Sequence, residues 1–301
     1  MEHATGSVLA RSRQRAKGLY RPELLLAPLV LFELGFFVAP LLLLVRVSLF
    51  EQTSSGAYVP GTLTLANFQQ VVFSSHFQEI LYFSLKFAVL VTAIAVVIST
   101  YYAYAIWRAK GLLQNVLLFA VVVTLLTTLV VRLFSILLLL SPVGVVNQLL
   151  TAIQLLREPV LLVTNLFGAT VGQVYTIFPY TVLSIYSVLA TIDWKKVEAA
   201  NDLGAGELRA FYEIVLPQLL PGIAVAAVIS FAWSFGAYAA PFLLGASSQQ
   251  TAAMEVYRLM ISRFNWPLAT ALSFVVLVVV LASVSVLFVA IGDKLGENYD
   301  I

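Results

Sequence analysis

Cysteine is absent from all 301 residues, so neither a disulfide framework nor a thiolate metal site can form. Histidine is nearly as scarce. His3 and His76 are the two, far apart, and an imidazole metal site needs about three or four ligands. Charge is scarce as well: Asp, Glu, Lys and Arg make up 11% of the chain, against about 25% in a soluble domain. Catalytic signatures are missing, with no HExxH, no GxSxG and no paired carboxylates. No GxxxxGK[ST] loop offers a nucleotide site. Apolar and aromatic residues fill the space, at 61%. A soluble fold of this length has too little interior to hide that excess, so lipid must be part of the solvent. A net charge of +2 gives no reason to expect nucleic acid as a partner.

A spanning helix needs about 20 apolar residues. Six runs qualify: Leu24–Phe50, Ile80–Trp107, Leu113–Leu140, Phe167–Ile192, Leu219–Leu244 and Leu268–Ile291. The pattern predicts an all-α integral membrane protein with six transmembrane helices. The fourth run contains polar residues and Pro179, so it is expected to face protein rather than lipid. Val143–Val160 is broken by Gly144, Asn147, Gln148 and Pro159 and reads as one or two short helices at the membrane surface. The first run, although preceded by arginines, is longer than the ~7–15-residue core of a secretory signal and is read as a retained anchor.

Lys and Arg set the orientation. With the N-terminus inside, the inner segments hold Arg11, Arg13, Arg15, Lys17, Arg21, Arg108, Lys110, Lys195, Lys196, Arg209 and Lys294, and the outer ones only Arg157, Arg258 and Arg263. Both termini are then cytoplasmic, as an even number of spans requires. The expected organisation is a basic tail (1–23), a membrane domain (24–292) and a short C-terminal tail (293–301).

The one polar stretch with internal design is Asp193–Pro217, on the expected cytoplasmic side. Asp193 can cap a helix, Gly204 can end it, and a second helix begins at Glu207 and stops at Pro217. Leu208, Phe211, Tyr212 and Val215 form one apolar stripe on the second helix, and Val197, Ala199 and Ala200 give the first a small-residue surface. Two readings stand: a pair of amphipathic helices on the membrane surface, or a knob that docks in a groove of a cytoplasmic partner.

The residues EAANDLGAGELRAFYEIVLPQLLPGI resemble the EAA loop of the inner-membrane permeases of binding-protein-dependent ABC importers. The matching positions are Glu198, Ala199, Ala200, Asp202, Leu203, Gly204, Ile214, Leu216 and Pro217. Val131-Arg132, Gly144–Leu149, Phe178-Pro179 and Gly236–Gly245 are similar to the polyamine, opine and iron branch, so the likeness covers roughly residues 20–292. The resemblance implies a transport subunit without an ATPase site of its own. It implies a loop, 193–217, gripped by a separate cytoplasmic ATPase dimer carrying ATP and Mg. The coupling residues would be Glu198, Ala199, Ala200, Asp202, Leu203, Gly204, Leu208 and Phe211. A second permease chain, by the habit of that branch a different one, and an extracytoplasmic solute-binding protein complete the implied assembly, in the bacterial inner membrane. The implied cargo is a small polar solute, polyamine-, opine- or amino-acid-like, with iron as the alternative.

Ionisable groups inside spans are functional candidates by default. Arg132 is expected to be structural or to gate. Arg46 and Lys86 can snorkel. Glu33 can pair with a base, stay protonated or face the solute, with pairing preferred. Gln173, Thr176, Tyr180 and Ser184 share one helical face, which either bonds a neighbour helix or lines the path. Glu33, Arg132, Tyr175, Tyr180, Trp233 and Tyr238 are the pathway candidates, and aromatic rings can hold an organic cation. An ion-coupled secondary transporter is the competing reading. It would want an internal repeat and intramembrane acids, and Glu33 is the single acid well inside an expected span. An enzyme is disfavoured by the missing catalytic pairs. The basic tail 11–21 is expected to enforce topology at the anionic inner leaflet, with ATPase contact as the other reading.

Overall fold

The computed structural model describes residues 22–53 and 56–296. The Arg11–Arg21 tail and the last five residues lie outside the described residues.

The first run is one continuous helix made of α1 (Pro22–Glu33), a π-turn (Leu34–Val38) and α2 (Ala39–Ser48). Pro40 follows that π-turn by two residues. A proline ring collides with the carbonyl four residues back, and the wider turn makes room for it. The all-α expectation needs one correction. β1 (Glu51–Thr53) and β2 (Gly56–Val59) form an antiparallel hairpin with Glu51 opposite Val59. The segment is short and polar, and its Thr, Tyr and Val suit extended backbone.

After α3 (Ala66–Phe73), α4 runs over 34 residues, Ser75–Arg108. The third expected span is not one helix but two, α5 (Leu112–Leu126) and α6 (Leu129–Leu140). Thr127 and Thr128 between them are extended, with ψ of 135° and 148°. The Thr127 hydroxyl donates to the Val123 carbonyl, 2.8 Å away, a local bond that competes with helix continuation. A short helix, α7 (Val145–Ala152), occupies the region read as surface helices.

α8 (Leu166–Leu189) is capped by Asn165, whose side chain accepts from the Gly168 N–H at 2.9 Å. The polar segment folds as α9 (Lys195–Asp202) and α10 (Glu207–Ala210). A second π-turn (Phe211–Val215) then leads into α11 (Leu216–Phe235). Pro217 therefore does not end the second helix. The π-turn two residues earlier absorbs the proline, and Glu207–Phe235 is continuous. The fifth expected run stops short: α11 ends at Phe235 with Gly236 as its cap, and α12 (Ala239–Leu244) follows as a separate piece. α13 (Ala252–Tyr257), a third π-turn (Arg258–Ser262) and α14 (Trp266–Gly296) complete the order.

Among the described residues, five stretches are long and apolar enough to cross a membrane: Leu26–Ser48, Ser75–Arg108, Leu129–Ala152, Glu207–Phe235 and Trp266–Val286. α8 falls outside that set because Gln173, Thr170, Thr176 and Thr181 dilute its apolar character. It is instead the centre of the bundle, packed against α4 and α11, with Ile177, Val182, Ile185 and Leu189 fully buried. The expectation that this helix faces protein holds. Helices in lipid associate through close packing of small residues, and Gly222 provides it on α11. A Cβ there would lie 2.9 Å from Val188 Cγ2 and 3.2 Å from the Ser184 carbonyl.

Candidate functional site

In the segment between α8 and α11, the first helix begins and ends as its residues predict. Asp193 Oδ1 accepts from the Lys195 N–H at 3.0 Å. α9 ends in paired terminal bonds: Ala205 N–H to the Ala200 carbonyl and Gly204 N–H to that of Asn201, both 2.9 Å. That pattern requires a left-handed residue, and Gly204 has φ +88°. Glu198, Ala199, Asp202, Leu203, Gly204 and Leu208 point outward, and Ala200 is half-buried. Leu203 is 90% and Leu208 75% exposed, so the tip presents two bare leucines beside acidic groups.

The expected apolar stripe divides. Phe211 and Val215 are buried, whereas Leu208 and Tyr212 are not. The reason is geometric: the π-turn widens the helix at Phe211 and breaks the 3.6-residue period on which the stripe was read. Phe211 is thus a seat for the loop rather than part of its outer face. Its ring lies 4.7 Å from Tyr104 and 5.9 Å from Tyr101 of α4. Trp194, at the start of the loop, meets Trp107 of α4 edge-on at 4.8 Å. The Tyr212 and Tyr101 hydroxyls are 3.0 Å apart.

Two sets of paired charged side chains escape a reading of the sequence. Arg108 donates from both terminal nitrogens to Glu207, at 2.8 and 2.7 Å. At the opposite end of the bundle, the fully buried carboxylate of Glu255 pairs with Arg258 and lies 3.5 Å from His76 Nε2. His76, isolated in sequence, is also 3.4 Å from Arg258. The advance signals are that Arg108 closes a span four and seven residues beyond Tyr104 and Tyr101, on one helical face, and that Glu207 opens a helix.

The pathway candidates fall in separate places. Tyr180 and Trp233 meet, their rings 5.0 Å apart. Tyr238 packs on Phe242 and Tyr257, both at 5.2 Å. Tyr175 lines a largely apolar cavity of about 440 Å³ with Tyr102, Thr124 and Phe178. Arg132 is buried and donates to the Thr176 carbonyl at 3.0 Å, its Nε unpartnered. No carboxylate meets it among the described residues. Glu33 is exposed on the first helix, without the ion pair that was preferred for it among the described residues. The polar face of α8 is mostly turned inward: Gln173 and Thr176 are buried, and Thr176 and Ser184 bond carbonyls of their own helix. Arg46 and Lys86 are exposed beside Phe50 and Tyr82, as snorkelling residues would be. Among the described residues no three His, Asp or Glu side chains gather as a metal site would require.

Comparison with known proteins places this architecture. Residues 95–295 match the family described as binding-protein-dependent transport system inner membrane component. The spermidine/putrescine transport system permease protein PotB of Haemophilus influenzae is 27% identical over 239 residues, 79% of this chain and 82% of that protein. PotB of Escherichia coli (strain K12) is 25% identical over 244 residues, 81% of this chain and 88% of its own. A bacterial ABC transporter involved in the import of the acidic polysaccharide alginate has the same fold, with a TM-score of 0.73 at 18% identity, over 97% of this chain and all of that one. The PotB relatives are permease proteins of a transport system, and several long apolar helices agree with a multi-pass inner-membrane location. The chain belongs to the family of inner-membrane components of binding-protein-dependent transport systems, and is an ABC importer permease.

Proposed function

We propose that this permease forms half of a translocation path for a small organic cation of the polyamine class, driven by a separate ATPase through the loop 193–217. The observation that carries the coupling half is the knob itself: Leu203 and Leu208 bare at its tip, with Glu198 and Asp202 beside them. Exposed leucines on a capped, rigid turn gain most from a partner's groove. Glu198, Ala199, Ala200, Asp202, Leu203, Gly204 and Leu208 form the contact, and Phe211 fixes it from behind. ATP and Mg act on the ATPase dimer. Its closure draws two permease bundles outward-facing, and hydrolysis returns them.

On this reading there are six spans, with α8 as the fourth and α5–α6 as the broken third, and both termini and the knob are cytoplasmic. The eleven inner against three outer Lys and Arg support this. An extracytoplasmic binding protein delivers the solute, and a second permease, a different chain, completes the path. The polyamine reading rests on the PotB relatives and on the Tyr180–Trp233 and Tyr238–Phe242–Tyr257 groups, since aromatic faces attract cations. Arg132, Tyr175 and Glu33 are further pathway candidates, Glu33 as an exposed group turned toward the second chain.

The test is to purify the tagged chain in mild detergent from its own cells and identify what accompanies it. An ATPase and a second permease support the reading, and uptake of labelled spermidine and putrescine then tests the cargo. A lone chain, in a preparation that keeps other importers intact, refutes it.

A further inference from the structure

The last two turns of α4 carry an unusual set of contacts to the knob. Tyr101, Tyr104 and Arg108 stand at i, i+3 and i+7, on one helical face. Tyr104 touches Phe211, and Tyr101 touches both Phe211 and, by its hydroxyl, Tyr212. Arg108 lies over the Tyr104 ring, its guanidinium carbon 5.9 Å from the centroid. The same guanidinium makes the two-pronged bond to Glu207 at 2.8 and 2.7 Å. Next to it, Trp107 holds Trp194, the residue that opens the first knob helix. One stretch of α4 therefore grips both arms of the knob, at Trp194 and at Glu207, Phe211 and Tyr212.

The ion pair is partly exposed, with side chains 37% and 67% accessible, and such pairs add little to folding stability. What a two-pronged pair adds is direction, since both prongs form at one orientation only. The aromatic contacts beneath resist sliding, and the fork resists rotation of α10 about its axis.

We propose that Arg108 and Glu207 are positioning residues that make the knob and α4 one rigid unit, so that a displacement imposed on the knob is delivered to the second span as well as to α11. This rests on the coupling reading of the loop. It adds that the force leaves the knob along two helices: α11 through the covalent chain, and α4 through the fork.

The test uses the intact complex in lipid nanodiscs, with partner subunits made cysteine-free. This chain contains no cysteine, so Leu90→Cys on α4 and Lys195→Cys on the knob accept spin labels selectively. The probe is Mg-ATP trapped with vanadate. In the wild-type background the label distance should be the same, and narrowly distributed, before and after trapping. Arg108→Glu should broaden it and shift it on trapping, and so should Glu207→Arg. The swapped pair Arg108→Glu/Glu207→Arg should restore the narrow, invariant distance. If Arg108→Glu fails to assemble, Arg108→Lys keeps the charge, loses the fork and should still broaden the distribution. A wild-type distance that changes on trapping overturns the proposal. So do single variants, Arg108→Lys included, with unaltered distances, or a swapped pair that does not recover. Glu198→Lys separates this from the docking reading: if it keeps the ATPase bound, the docking reading fails, whatever the α4 distances show.

Discussion

The rings of Tyr180 and Trp233 lie 5.0 Å apart, tilted by 33°, and join α8 to α11 on a face where Trp233 remains 45% exposed. Such a pair is worth about 0.5–1.5 kcal/mol beyond its area. An aromatic pair half open to its surroundings can receive a further flat or cationic group. Trp233→Ala should therefore raise the KM for labelled spermidine uptake by about two- to tenfold, with the ATPase still co-purifying. Trp233→Phe should recover most of the loss. Unaltered uptake kinetics would remove this pair from the path.

Glu198→Lys reverses a charge at the outer face of α9, and Gly204→Asp places a side chain on a left-handed residue with φ +88°. Both variants should insert normally and lose the ATPase on purification. Retention of the ATPase at wild-type levels by both would contradict the docking role of the loop.

Arg132 ties α6 to α8 through the Thr176 carbonyl. Arg132→Ala removes that bond and empties the space of a buried side chain, at a cost of about 1–3 kcal/mol. Thermal unfolding followed by intrinsic tryptophan fluorescence in detergent should show a lower midpoint. A midpoint equal to wild type, with transport reduced, would identify Arg132 as a path residue instead of a brace.

Gly222 sits where α11 comes closest to Val188 and Ser184 of α8. Gly222→Leu should force the two central helices apart and cost about 1–3 kcal/mol, seen as a fall in the yield of folded protein and in its unfolding midpoint. Gly222→Ala should lie between. Wild-type behaviour of the leucine variant would mean that the helices have slack at this crossing.

Local chemistry was legible in advance, and longer-range pairing was not. Asp193, Gly204 and Glu207 mark the ends of the knob helices because capping and left-handed backbone depend on residue type within one turn. The polar content of α8 announced a helix that faces protein. The break at Thr127–Thr128 was hidden, since two threonines in an apolar run do not dilute its hydropathy. The three π-turns were hidden too, and with them the outward placement of Leu208 and Tyr212. His76 and Glu255 are separated by 179 positions, and Arg108 and Glu207 by 99. No periodicity within a window connects such pairs, so these two clusters appeared only in three dimensions.

The π-turn Phe211–Val215 also acts as a phase setter. It holds one residue more than a regular turn and ends two residues before Pro217. Removing one residue from it would leave a smoother helix. It would also rotate the knob by about 100° and draw it in by about 1.5 Å relative to α11. The fork from Arg108 would then face the wrong side of α10. The angular setting between knob and membrane is thus written in the length of five residues, so insertions and deletions there should be far less tolerated than substitutions.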